Sequence, residues 1–335
     1  MEKTAEREGS SSFRWGQGRR QTFGRHKDAW IAAVILVPMF LFWLIVSGFP
    51  TLFGFGLGFF EWIGLASSPK FIGFDNFISF FNNPVYTEAL WRSVWLGGLV
   101  TVITLAAGFG AALLMNMPLM GKGFYRSIWY IPAVTATVAT TQVFNIFLDS
   151  NNGVINNLLK ALGKEPIVWQ YSVSWGIFWI VVYSVWKGVG GAALIWLAGL
   201  QSVDVSLYEA AEIDGAGRWG KLRYVTLPGL KPIATYIVIT NLIAAIQIYE
   251  QVLFITNGGP YGQTEVLVFR IYRDGFWDFN LGMAGASSLI MAVIVIVITV
   301  LYYNWSTRTD KRTTIPIKPV KKGAGKHAGN VKREV

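Results

Sequence analysis

The chain has no cysteine, only two histidines, and charged side chains at just 14% of its 335 positions. Without cysteine there are no disulfides, thiolate metal sites or cysteine nucleophiles. His26 and His327 lie in polar terminal stretches, so the interior of the sequence has no imidazole ligand or base. What charge there is stays out of long stretches. Ala29 to Phe60, Ser93 to Gly121, Ser127 to Leu148, Pro232 to Tyr249 and Phe279 to Thr307 carry none, and Ile167 to Val203 holds only Lys187.

A bilayer core of about 30 Å needs about 20 apolar residues in helical form, because lipid offers no partner to backbone N–H and C=O groups. The six windows therefore predict an all-α integral membrane protein with six transmembrane helices over 29–307 and both termini on one side. The window opening at Pro232 is the shortest; its span is expected to run a turn past Glu250. The first window is too long for a secretory h-region and lacks a small-residue cleavage site, so it is expected to be an uncleaved span.

The formal net charge of +10 is arranged by side. Of the 29 lysines and arginines, 22 fall in the tails and in the loops around Lys122 and Asp204 to Lys231. Six fall on the opposite side, and Lys187 lies inside a span. This is a positive-inside pattern, which puts the termini in the cytoplasm and accounts for the basic balance without nucleic acid. The tails 1–28 and 308–335 are expected to be cytoplasmic, basic and in contact with anionic membrane lipid. On the outer side, FIGFDNFISFF places Phe74, Phe77, Ile78 and Phe81 on one helical face, the pattern of a short interfacial helix. A second short helical segment is expected within DSNNGVINNLLKALGKEP.

The longest cytoplasmic connection, 204–231, reads DVSLYEAAEIDGAGRWGKLRYVTLPGLK. Ser206 and Glu209 have capping-box spacing, so a helix is expected to start near Leu207. Ala210 and Ala211 leave that helix a small face, and Asp214-Gly215-Ala216-Gly217 supplies a sharp turn. A second helical stretch around Arg218 to Tyr224 would end at Leu227-Pro228 before the next span. The combination is a helix–turn–helix along the cytoplasmic face of the membrane.

Glu209, Ala210, Ala211, Gly215, Leu227 and Pro228, with Val225 where isoleucine is usual, resemble the EAA motif of ABC-importer permeases. The resemblance runs from about Trp30 to Trp305 and is nearest the carbohydrate branch, with GFDNF at Gly73 to Phe77, LAGLQ at Leu197 to Gln201 and TNGGP at Thr256 to Pro260. It implies the ABC type I importer permease fold of the bacterial inner membrane, with 204–231 as coupling helices seated on a cytoplasmic ATPase dimer. Further implied partners are a second, homologous permease subunit and an extracytoplasmic solute-binding protein. The large outer insertion of the maltodextrin permease is absent, so contacts built on that insertion do not carry over.

The resemblance also implies that the turn around Trp186 to Gly191 and the middle of span five line a sugar site. The residues offered are Trp186, Lys187, Asn241, Gln247, Tyr249, Glu250 and Gln251. Amides, carboxylates and aromatic faces suit a polyhydroxylated ligand, though Asn241, Gln247 and Trp186 serve helix packing equally well. Lys187 and Glu250 are expected to pair if spans four and five are neighbours, since a lysine stem can snorkel across part of the gap.

No cofactor is expected on this chain. The phosphate loop needs a glycine five residues before its Gly-Lys pair and a hydroxyl after it; Gly121-Lys122-Gly123 has Asn116 at the glycine position and no hydroxyl. ATP and Mg²⁺ are therefore assigned to the partner ATPase. A membrane enzyme would need paired acids inside the apolar windows, and none is present. A channel or scaffold without ATP coupling would have no use for the 204–231 element.

Overall fold

The computed structural model describes residues 24–64, 67–118, 121–169 and 172–311. The expected tails fall outside these residues except at 24–28 and 308–311, where backbone helix continues from the adjoining spans. Two compact units divide at Gly54–Phe55. The first holds α1 (Gly24–Trp43), a π-helical turn (Leu44–Gly48) and the start of α2 (Phe49–Leu57). Together Trp30–Leu57 is a continuous apolar stretch of 28 residues, long enough to cross a membrane.

Among its described residues the second unit holds three helices long and apolar enough to cross a membrane, Pro84–Asn116, Val173–Ser202 and Leu281–Arg308, and one bent pair, Arg218–Gly229 with Lys231–Ile246. After a two-stranded antiparallel pair, β1 (Phe60–Glu61) and β2 (Lys70–Phe71), come α3 (Asp75–Asn82) and the long α4 (Pro84–Asn116). Asn83 caps α4 by accepting from Val85 N at 3.0 Å, and Pro84 occupies the first turn, where its missing N–H costs nothing. Next are α5 (Lys122–Val134), α6 (Thr137–Phe147), α7 (Val154–Ala161) and α8 (Val173–Ser202). The connection 204–231 contributes α9 (Val205–Ile213), α10 (Arg218–Lys221), a π-helical turn (Leu222–Thr226) and α11 (Leu227–Gly229). The chain ends with α12 (Lys231–Ile246), a π-helical turn (Val252–Thr256), α13 (Leu267–Phe276) and α14 (Leu281–Lys311).

Close contacts fix the relative directions. Cβ atoms built on Gly108 and Gly188 would meet Ala192 and Thr104, so α4 and α8 run parallel in a steady register. Trp129, Thr135 and Thr140 meet Gly190, Lys187 and Tyr183 in turn, so α5 and α6 together run antiparallel to α8. Gly97 meets Ile246 while Gly199 meets Ile233, which makes α12 antiparallel to both α4 and α8. At the far end of α12, Thr235 Oγ1 bonds Ser306 Oγ of α14 at 2.5 Å. The apolar window Ser127 to Leu148 reads as one helix, but the chain is interrupted at Thr135, which is extended, and at Ala136, whose ψ of 130° is likewise non-helical.

Three apolar clusters fill the unit. One joins Ala112, Trp196, Leu200, Leu230 and Ile237 near the 204–231 connection. A second joins Leu96, Ile180, Val252 and Phe269, and a third Phe80, Ile246, Leu267 and Met291. On α3, Phe74, Ile78 and Phe81 are exposed as an interfacial helix requires, but Phe80 is buried and Asn76 donates to the carbonyls of Gly58 and Phe60 at 2.9 Å. The helix is therefore fastened to the core as well as facing outward.

The opposite end carries a buried ionic cluster that the sequence pattern did not announce. Arg270 Nε lies 3.1 Å from Asp274 Oδ1, and Arg273 Nη1 lies 2.7 Å from Glu265 Oε1. Tyr86 donates to Asp274 Oδ2 at 2.9 Å, while Arg92 donates to the carbonyls of Glu265 and Gly262. Glu265 and Asp274 are almost wholly buried, so these partners are what make their charge tolerable. The cluster fastens α13 and the TNGGP turn to α4.

Two predictions follow from packing and burial. A Cβ on Gly97 would lie 2.8 Å from Ile246 Cα, whereas one on Gly98 meets nothing. Gly97→Ala should lower the melting temperature of the solubilised protein, by overpacking that costs about 1–3 kcal/mol, while Gly98→Ala leaves it unchanged or higher; equal melting of the two variants would refute the close α4–α12 approach. For Asp274, burial outweighs the nearby Arg270 charge and the Tyr86 hydrogen bond and pushes its carboxyl up to about 6. Because the folded state then binds a proton that the unfolded chain releases, this group adds stability as pH falls from about 6 toward 4 and loses it as pH rises. The difference in melting temperature between the parent and Asp274→Asn should shift in the parent's favour across that window, and a pH-independent difference would contradict it.

Candidate functional site

The 204–231 element is assembled from short local bonds. Asp204, rather than Ser206, caps α9: its Oδ1 accepts from Ser206 N at 2.9 Å, so the helix starts at Val205, two residues before the expected Leu207. That bond also holds the Asp204 carboxyl below the usual range. The helix ends where Gly215 takes φ +78° and Ala216 N bonds Ala211 O at 2.8 Å, a reversal that a side chain at position 215 would strain. Lys221 Nζ then reaches Glu212 Oε2 at 2.7 Å and ties α10 back onto α9, which lowers the Glu212 carboxyl through hydrogen bond and charge together.

Leu227-Pro228 does not stop the second helix as expected. Proline sits in the first turn of α11, directly after the π-helical turn, and the chain bends by 67° before entering α12. Proline is tolerated there because the wider π-helical hydrogen bonding has already displaced the ladder it would break.

Two side chains anchor this element to the spans. Tyr208 Oη bonds Thr226 Oγ1 at 3.0 Å, and Tyr208 and Val225 pack on the cluster that includes Val203 and Leu230. The outer surface of the element is left open. Glu209 and Ala210 are exposed, Ala211 is half-buried, and Ile213 is 87% exposed. Among the described residues the Glu209 carboxylate has no hydrogen-bond or ion-pair partner. Its expected capping-box role is thus absent, and its neighbour Glu212 carries the ion pair.

The expected pathway residues group around two helix interruptions. At the first, between α5 and α6, the Thr135 carbonyl is released from the helix and accepts from Lys187 Nζ. Tyr183 Oη bonds Thr140 Oγ1 at 2.6 Å and donates to Thr137 O at 3.3 Å. Lys187 and Glu250 therefore do not pair. The ammonium is taken by a carbonyl at the end of α5, where the helix dipole also favours a cation, and among the described residues Glu250 has no ion pair.

At the second interruption α12 ends at Ile246, and Gln247, Ile248 and Tyr249 are non-helical before the chain turns again at Glu250 and Gln251. Gln247 is exposed; Tyr249 lies 5.8 Å ring to ring from Tyr272. Asn145 of α6 donates to Phe254 O at 2.8 Å, satisfying a carbonyl of the π-helical turn. Asn241 instead bonds back to Ile237 O of its own helix at 3.0 Å, which is the packing alternative.

Trp186 stands between two apolar cavities. One, of about 390 Å³, is lined by Thr140, Phe144, Phe147, Trp179 and Trp186 among others. The other, of about 560 Å³, runs along Leu99, Ile103, Phe178, Val182 and Trp186. Phe144 lies 5.0 Å from the Tyr183 ring and 5.5 Å from that of Trp186. Thr140, Phe144, Asn145, Trp179 and Tyr183 were not singled out from sequence. The signal available was the spacing of Thr137, Thr141 and Asn145, which puts three polar groups on one face of an otherwise apolar window.

The comparisons agree with this architecture. Residues 23–315 match the family described as binding-protein-dependent transport system inner membrane component. The sulfoquinovosyl glycerol transport system permease protein SmoG of Agrobacterium fabrum is 32% identical over 280 residues, covering 82% of this chain and 90% of that protein. The sn-glycerol-3-phosphate transport system permease protein UgpA of Escherichia coli is 28% identical over 288 residues, covering 83% and 95%. A chain of a bacterial ABC transporter involved in the import of alginate shares the fold with a TM-score of 0.74 at 24% identity, over 85% of this chain and 98% of that one. A family match across nearly the whole sequence, an apolar helical body and a shared importer fold place this chain among the binding-protein-dependent transport system inner membrane components.

Proposed function

We propose that the chain is one of two homologous permease subunits of an importer for a sugar or related polyol, spanning the membrane six times with both termini cytoplasmic. ATP and Mg²⁺ act on a separate ATPase dimer, and a solute-binding protein delivers the solute from outside. The observation that carries this reading is the state of α9: it is capped by Asp204, tied to α10 through Glu212–Lys221 and packed toward the spans through Tyr208, while Glu209, Ala210 and Ile213 face outward unpartnered. A helix that needed only a cap would not leave a carboxylate and a large aliphatic side chain presented on a rigid base. Leu227 and Pro228 then relay any displacement of α9 through the 67° bend into α12.

The solute path lies at the interruptions. Backbone breaks within a membrane are tolerated where they line a cavity or are buried in protein, and half-helix ends there offer polar groups to a solute. Trp186, Gln247, Tyr249, Glu250 and Gln251 supply an aromatic face, amides, a hydroxyl and a carboxylate, which match the alternating apolar faces and hydroxyls of a pyranose. Lys187 and Asn241 act mainly by holding this wall in place. The relatives named for sulfoquinovosyl glycerol and glycerol 3-phosphate support a polyhydroxylated solute of that size.

Two experiments test the proposal. Glu209→Lys or Gly215→Pro should leave insertion intact but lower solute-driven uptake at least about tenfold, through lost ATPase binding or uncoupled hydrolysis, as expected when a central interface contact worth about 2 kcal/mol is removed. Normal uptake and normal ATPase retention in both variants would refute a coupling role. For sidedness, cysteines introduced singly into this cysteine-free chain should label from the cytoplasm at position 212 and from outside at 75, 157 and 261; external labelling at 212 overturns the orientation.

A further inference from the structure

The bend between α11 and α12 has a geometric consequence. If α12 crosses the bilayer, a segment inclined at 67° to it lies nearly in the membrane plane. That segment, α10 with its following π-helical turn, carries Arg218, Trp219, Arg223 and Tyr224, all exposed, with Trp219 at 82% and Tyr224 at 74%. Trp219 and Arg223 are one helical turn apart, and the Arg223 guanidinium sits 6.0 Å from the centre of the Tyr224 ring.

The charges here are divided. Lys221, on the side toward α9, is neutralised by Glu212. Neither Arg218 nor Arg223 has a carboxylate partner among the described residues. The element therefore shows two surfaces of different chemistry: α9 offers a free carboxylate and Ile213, and α10 offers two free guanidiniums between two amphipathic rings. Trp and Tyr are the side chains that favour the headgroup level, and arginine pairs bidentately with phosphate.

We infer that Arg218, Trp219, Arg223 and Tyr224 form a binding surface for the phosphate headgroups of anionic lipid in the cytoplasmic leaflet, and that this contact sets the resting position of the coupling element. Membrane contact explains the in-plane inclination, the exposed rings and the unpaired arginines together. Docking on a protein partner would account for the rings and the arginines but not for the inclination along the membrane plane. An anionic leaflet draws each nearby basic residue with an energy that, for two arginines, amounts to about 30-fold in lipid affinity. Lipid composition would then modulate coupling without touching the solute path or the α9 surface. The inference rests on the importer reading only for its activity readout.

The test uses the complete transporter in nanodiscs of phosphatidylcholine with increasing phosphatidylglycerol. Photoreactive benzoylphenylalanine placed at position 219 should crosslink to lipid, and solute-stimulated ATP hydrolysis should rise with anionic lipid. Arg218→Gln/Arg223→Gln should shift the phosphatidylglycerol requirement upward by roughly 30-fold or abolish the response, with ATPase retention in detergent unchanged. Two results would overturn the inference. One is crosslinking at 219 to the ATPase or the second permease instead of lipid, or loss of the ATPase from the double variant in detergent. The other is an identical phosphatidylglycerol response in parent and variant. Crosslinking does not depend on transport, so a lipid adduct in a preparation without solute-stimulated hydrolysis would count against the importer reading and leave the lipid surface standing.

Discussion

In a bilayer every backbone N–H and C=O has to find its partner within the protein, and the two broken helices meet this constraint with side chains. Opening α5–α6 at Thr135 and Ala136 frees the Thr135 carbonyl, which Lys187 takes up, while Tyr183 bonds the first residues of α6 beside it. The end of the π-helical turn at Thr256 leaves the Phe254 carbonyl for Asn145 to take up. A charged lysine near a midplane is costly on its own, but here the cost of burying it is offset by the free carbonyl at the end of α5. Lys187 and the interruption are thus mutually dependent: each would be unfavourable without the other.

The same constraint explains where polar chemistry is concentrated. Straight helices such as α4 satisfy their own backbone and approach their neighbours through Gly97 and Gly108, with Thr101 bonding back to Gly97 O. Polar side chains at the interruptions point toward backbone groups of other helices, and the cavities beside Trp186 open next to them. Hydrogen-bonding capacity is therefore gathered at the interruptions for structural reasons alone.

Much of this was legible in the sequence. Charge-free length gives the helical passes, and the glycines and proline of 204–231 give the turn and the entry to α12, because these signals are local. The cap at Asp204 was readable too, since aspartate before a helical run competes with serine for the same role, but the Ser206/Glu209 spacing drew attention away from it. The Lys187–Glu250 pairing failed for a different reason. Whether a lysine meets a carboxylate or a carbonyl depends on where the backbone of another segment opens, and Ser127 to Leu148 reads as an unbroken apolar window. The buried cluster of Glu265, Arg270, Arg273 and Asp274 was equally hidden: its residues look like an ordinary charged loop until Tyr86 and Arg92 are brought to them from α4.

These features divide the second unit along its length. At one end, α4, α13 and the TNGGP turn are locked by ionic and hydrogen bonds. At the other, α9 is joined to α8 and α12 through Tyr208, Val203 and Leu230, with Gly199 and Gly229 letting the backbones close on each other. Close-packed contacts of this kind pass a displacement on with little compliance. Between the two ends lie the interruptions at Thr135–Ala136 and Gln247–Tyr249, which have no continuous backbone ladder and are held by single side-chain bonds. A displacement applied at α9 is therefore expected to be absorbed where the ladder is interrupted, next to the cavities that Trp186 lines.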